Sequence, residues 1–157
     1  MKLYIKQHVF TWGDRFSVYD ENGREKYVVQ GEVFSFGKKL HVLSANGTEQ
    51  AYIHQRVLSF VPKYYINRNG REIAEVIKHF TLFRQEYSVN GLGWQVRGDF
   101  FGHDYEVFGG GRAIARVQKA WLSWGDAYQI EIADGIDDVA ALSVVIVIDA
   151  ILTDTRN

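Results

Sequence analysis

Basic residues recur beside regularly spaced aromatics in this chain. Lys38 and Lys39 follow Phe36, Lys63 follows Phe60 and Arg84 follows Phe83, while Arg56 and Lys78 precede Phe60 and Phe83. Ammonium and guanidinium groups gathered near exposed aromatic rings suit a phosphate-bearing headgroup, the guanidinium through forked hydrogen bonds and the ammonium as a point charge. That chemistry requires these residues to lie at one end of the fold, where Trp12 and Trp124 would sit at a membrane interface. The alternative reading is structural: the aromatics fill the ends of the fold, and the Lys and Arg side chains solvate it.

Catalytic chemistry has no comparable signal. No Gly-x-Ser-x-Gly elbow, His-Glu-x-x-His helix, P-loop or cysteine pair occurs, so no catalytic residue, metal ligand or cofactor is assigned. Gly109-Gly110-Gly111 resembles a phosphate cradle, but Arg112 to Val117 after it has strand character, and the triplet reads as a hairpin turn. Asp134, Asp137 and Asp138 lack the spacing and terminal Glu of a calcium loop and read as a helix cap. His8, His41, His54, His79 and His103 fall on separate strands and read as a polar outer face rather than a metal or acid–base site. Asp149 stands inside an apolar stretch, where a carboxylate needs a hydrogen-bonding or charged partner. It is expected to anchor the tail.

The elements that position these residues follow from a repeat. Asn-Gly or Gly-Gly turns at Gly23, Gly47, Gly70 and Gly111 each precede an aromatic by 13 residues: Phe36, Phe60, Phe83 and Trp124. With Trp12 and Phe101 added, these aromatics mark a six-unit repeat with spacings of 24, 24, 23, 18 and 23. Relative to each marker, the positions seven before, four after and six after are apolar or aromatic in every unit. Polar residues alternate with them, the period-2 signature of half-buried strands. Each unit therefore holds two strands joined closely enough for an antiparallel meander.

The tail departs from that pattern. After an aspartate cap, Val139 to Leu152 is apolar except for Ser143 and Asp149 and reads as a helix buried on every side. At 1.5 Å per residue the stretch is roughly 21 Å long, short of the ~30 Å hydrocarbon core of a bilayer. Twelve strands about 4.8 Å apart close a barrel of roughly 11–12 Å radius, which leaves room for one helix about 10–12 Å across. The expected fold is mainly β: a closed twelve-stranded antiparallel barrel around a central hydrophobic C-terminal α-helix. It forms one domain over 1–157, with strands within 2–132 and the helix at about 137–153. A β-trefoil, the rival with twelve strands, would repeat at twice this period and leave the helix without a place.

Composition limits the partners. The 157 residues carry 18 Lys and Arg against 19 Asp and Glu, a net charge of −1 that gives no bulk attraction to nucleic acid. The absence of cysteine fits a reducing compartment. The N-terminal residues lack the apolar segment of a signal peptide, so a cytoplasmic location is expected, peripheral to a membrane if lipid is the ligand.

Lys6 to Phe10, Phe16 to Gly23, Tyr27 to Gly31 and the closing Ile146 to Ile151 resemble the LURP-one-related family. The resemblance spans essentially the whole chain. It implies the fold shared by tubby C-terminal domains and phospholipid scramblases, a twelve-stranded barrel around a central helix, and it implies no catalytic residues. Tubby domains bind phosphoinositides, so the resemblance implies a non-enzymatic module for a phospholipid headgroup or other anionic ligand. The alternatives are a soluble structural or protein-interaction domain, whose protein partner the sequence does not name, and a scramblase-like membrane-associated factor.

Overall fold

The computed structural model describes residues 1–6, 15–80, 84–123 and 125–156. Twelve strands follow one another: β1 (Lys2–Lys6), β2 (Arg15–Tyr19), β3 (Glu25–Gly31), β4 (Lys39–Ser44), β5 (Glu49–Gln55) and β6 (Lys63–Arg68), then β7 (Arg71–Phe80), β8 (Gln85–Asn90), β9 (Trp94–Asp99), β10 (Asp104–Gly109), β11 (Arg112–Leu122) and β12 (Gly125–Ile132). Each pairs antiparallel with its chain neighbours, and β1 closes on β12, from Lys2 opposite Glu131 to Lys6 opposite Ala127. The result is the closed barrel expected from the repeat.

Register reproduces the repeat. The residues seven before and six after each marker face each other as Ile5 and Val18, Val29 and Val42, Ile53 and Ile66, Val76 and Val89, and Val117 and Ile130. In the β9–β10 unit Val107 lies opposite Val96 instead of Trp94. That shift of two residues keeps every side chain on its own face, because side chains alternate with period 2. Trp94 faces Gly109, where an added Cβ would fall 2.4 Å from the indole, so the first glycine of the triplet makes room for a ring. Gly110 and Gly111, at φ 59° and 75°, form the turn from β10 into β11. The triplet is thus a hairpin turn beside a tryptophan.

Inside the barrel runs α1 (Asp138–Arg156). Its cap is Asp137, whose Oδ1 accepts the Val139 amide at 3.1 Å while its carbonyl accepts the Ala141 amide at 3.1 Å. Arg68 at the end of β6 holds the same carboxylate through Nε at 3.2 Å, and the Tyr27 hydroxyl donates to Asp138 at 2.6 Å. Val144 to Ile148 are wholly buried. They are five consecutive β-branched residues, a run that favours strand over helix on local preference. Enclosure reverses that preference, since a helix satisfies its own backbone where no strand is available to pair with it. Ser143, also wholly buried, donates to the Val139 carbonyl at 2.7 Å.

The helix continues past the expected end at about residue 153, to Arg156. Thr153 Oγ1 donates to the Asp149 carbonyl at 2.9 Å, and Asp154 is gripped by a lysine of the barrel wall. No helix among the described residues is long and apolar enough to cross a membrane.

Candidate functional site

Antiparallel alternation sends every connection from an odd to an even strand to one end of the barrel, here called the crown, and every Asn-Gly turn to the other. The marker aromatics therefore lie at the crown: Phe36 between β3 and β4, Phe60 between β5 and β6, and Phe101 between β9 and β10. Trp12, Phe83, Trp124 and His8 lie outside the described residues. Phe36 and Phe60 do not fill the barrel end; both are exposed. The interior there is occupied by Tyr64, Tyr87, Tyr105 and Tyr128, four residues after their markers, and by Phe100, whose ring meets Tyr87 edge-on at 4.7 Å.

The six basic residues separate into different environments. Lys38 is 3% exposed and points inward, donating to the Ala150 carbonyl at 3.1 Å and to Asp154 at 2.6 Å. A cation at the last turn of α1 also complements the negative end of the helix dipole. Lys39, Arg56 and Lys63 lie on the outer side or in the connections, exposed or half-buried. Arg84 is exposed and pairs with Glu86 at 2.9 Å.

Lys78 differs from all of these. It shares the inward parity of Ala74 and Val76 on β7, is 2% exposed, and has no anionic partner among the described residues. Its ammonium lies 4.9 Å from the centroid of the Phe80 ring, and burial lowers its pKa.

Topology gathers Lys39, Arg56, Lys63, Lys78 and Arg84 at the crown ends of five adjacent strands, β4 to β8. At the ordinary strand spacing this basic sector spans roughly 20 Å. Exposed Asp99, Asp104 and Asp126 occupy the β9–β12 side. Within the basic sector a cleft of about 360 Å³ opens between the β5–β6 connection and the end of α1, lined by Arg56, Ser59, Pro62, Ile151 and Asp154 among others. That is the size of a small-ligand site.

Asp149 faces the other side of the interior. Tyr128 donates its hydroxyl to Asp149, His103 Nε2 lies 3.7 Å from Asp149 Oδ1, and the His103 ring stacks on Tyr128 at 4.5 Å. The hydroxyls of Tyr64, Tyr87 and Tyr105 have no hydrogen-bond partner among the described residues, and burial, with the Asp149 charge added for Tyr87 and Tyr105, holds them protonated.

On the outer wall, His41, Tyr52, His54 and Tyr65 form a ladder of rings across β4, β5 and β6, with centroids 5.0, 5.1 and 5.2 Å apart. Among the described residues, no group of three His, Cys, Asp or Glu gathers as a metal site would require. Burial pulls the His41 pKa down, but hydrogen bonds to Glu49 and Glu32 outweigh it and leave the imidazole above its usual 6.5. The stability this contributes is complete below the unfolded pKa of about 6.5 and is lost as pH rises through the higher folded value. The thermal advantage of the native chain over His41→Phe is therefore expected to shrink as pH is raised from about 6 toward 8. An advantage constant with pH would contradict this.

A closed twelve-stranded barrel with a buried C-terminal helix and cations at one mouth places this chain among the LURP-one-related proteins: residues 1–149 match the model of that family, and the chain belongs to it. The uncharacterized protein YxjI of Bacillus subtilis (strain 168) is 32% identical over 152 residues, covering 97% of this chain and 94% of YxjI. The X-ray structure of a protein from Arabidopsis thaliana matches with a TM-score of 0.63 over 99% of this chain and 91% of that one; at 15% identity the likeness is one of fold.

Proposed function

We propose that this chain is a non-enzymatic binding module, acting as one unit over residues 1–157 in the cytoplasm or at the membrane surface. Its ligand is a phospholipid headgroup or another phosphate-bearing anion, held at the basic sector of the crown. The observation that carries this reading is Lys78, a cation 2% exposed with no carboxylate beside it among the described residues. A lysine turned to the interior without a counter-ion is costly, and a phosphate oxygen would supply the missing partner. Further positive charge follows at the same end of the barrel, with Lys63 on the neighbouring β6, Arg56 after β5 and Lys39 on β4.

Glycerol phosphate, titrated calorimetrically against the native chain and Lys78→Met, tests the reading. Methionine keeps the length of the side chain and removes its charge. The ligand-free variant is expected to melt a few degrees higher, because an isolated buried charge is gone. Glycerol phosphate is expected to bind it about tenfold more weakly or worse, since a hydrogen bond to a charged group is lost. Equal affinity for both proteins would remove Lys78 from the site.

A further inference from the structure

The crown also carries an unusual concentration of bare apolar side chains. Phe34 is 101% exposed, Leu58 94% and Phe60 108%, and Phe36, Phe80 and Trp121 are also well exposed. All six lie in crown connections or at the strand ends beside them. The opposite end is built of Asn-Gly and Gly-Gly turns, where Met1 and Phe108 are the exposed large apolar residues among those described. Single exposed apolar residues need no explanation, but six at one end of a small barrel mark an interaction surface.

Backbone conformation singles out the same tips. Phe34 and Leu58 have φ of 62° and 60°, the left-handed region that bulky residues rarely adopt. Neither side chain is buried, so no side-chain packing among the described residues offsets the strain. Strain that persists without internal compensation points to a role outside the fold.

We propose that the crown docks end-on against a lipid bilayer, with Phe34, Leu58 and Phe60 entering the interfacial region and Lys39, Arg56 and Lys63 facing anionic headgroups. Each tip is as exposed as in an extended chain, so the tips project singly rather than forming one continuous face. A protein partner requires a closely packed complementary surface, whereas lipid closes around separate projections. The cations set behind the tips in the same sector match the negative potential of an anionic leaflet. The outer wall carries Gln30, His54, Ser88, Gln95, Glu106 and Gln118 while the interior is apolar, the inverse of a barrel that spans a membrane. The barrel therefore rests on the bilayer by its crown. This inference rests on the anionic-ligand reading for its charge component only.

The chain has no cysteine, so Phe60→Cys and Asn46→Cys each accept a single environment-sensitive fluorophore, the first at the crown and the second at the opposite end. With vesicles of mixed phosphatidylcholine and phosphatidylserine, the label at 60 is expected to shift to the blue and to be quenched by nitroxide-bearing acyl chains. The label at 46 should stay aqueous. The double variant Phe34→Ser, Phe60→Ser, whose two positions lie outside the lining of the cleft, is expected to bind vesicles about tenfold more weakly or worse, with glycerol phosphate affinity unchanged. A label at 60 that remains in water on vesicles that bind the protein overturns the proposal. So does a blue shift that needs no vesicles and grows with protein concentration, which assigns the crown to a second copy of the chain. Binding of glycerol phosphate without binding of vesicles overturns the docking and leaves the anionic reading intact; vesicle insertion without glycerol phosphate binding does the reverse.

Discussion

Ile146→Ala is expected to lower the stability of the barrel by about 3–4 kcal/mol, a large part of the 5–15 kcal/mol typical of a folded domain. Ile146 is wholly buried at the middle of α1. The loss combines the transfer free energy of three carbon atoms with a cavity that a closed wall is poorly able to collapse, since every strand is pinned by two neighbours. Urea unfolding measures it as a lowered midpoint with an unchanged slope. Phe60→Ala removes a larger apolar group, yet Phe60 is exposed, so the change is expected to stay within about 0.5 kcal/mol. If the two variants were equally destabilised, the enclosed helix would not be the centre of the core.

Asp149→Ala is expected to cost about 2–3 kcal/mol, read as a fall in melting temperature of roughly 5–10 °C. The substitution strips the Tyr128 hydroxyl of its acceptor and His103 of the carboxylate 3.7 Å away, in an interior that offers few substitutes. Asp149→Asn keeps an acceptor for Tyr128 and is expected to recover part of the loss. An unchanged melting temperature in the alanine variant would end the view of Asp149 as the anchor of the tail. A higher one would mean that the carboxylate burdens the core and is retained for another reason.

The barrel was legible because its information is local and repeated. Residues such as Val29 and Val42 lie 13 apart in the chain and directly opposite in the sheet, and nearly the same relation recurs around the wall. The helix was harder, since Val144 to Ile148 has strand preference; only the aspartate cap, the length of the run and the radius of a twelve-stranded ring identify it. Lys38 and Lys39 look alike as a pair of cations, but Lys38 shares parity with buried Leu40, and period-2 alternation separates the inward lysine from the outward one. The same parity places Lys78 with Ala74 and Val76. The meeting of His103, Tyr128 and Asp149 carries no such signal, because a crown turn, a strand and the central helix contribute one residue each. The singly projecting tips at Phe34 and Leu58 are set by left-handed backbone that local residue preferences argue against.

The β-branched run at the centre of α1 is harmless only while it is shut away. Val144 to Ile148 is uncharged and free of proline and glycine, the composition that stacks into intermolecular sheets when exposed. The wall around it is sealed by the seam between β1 and β12, whose partners are separated by most of the chain. During synthesis the seam cannot form until β12 has emerged, and the run that must be enclosed follows β12. Closure of the barrel thus competes with self-association of this one segment, and the finished wall acts as a lifelong chaperone for the helix it contains.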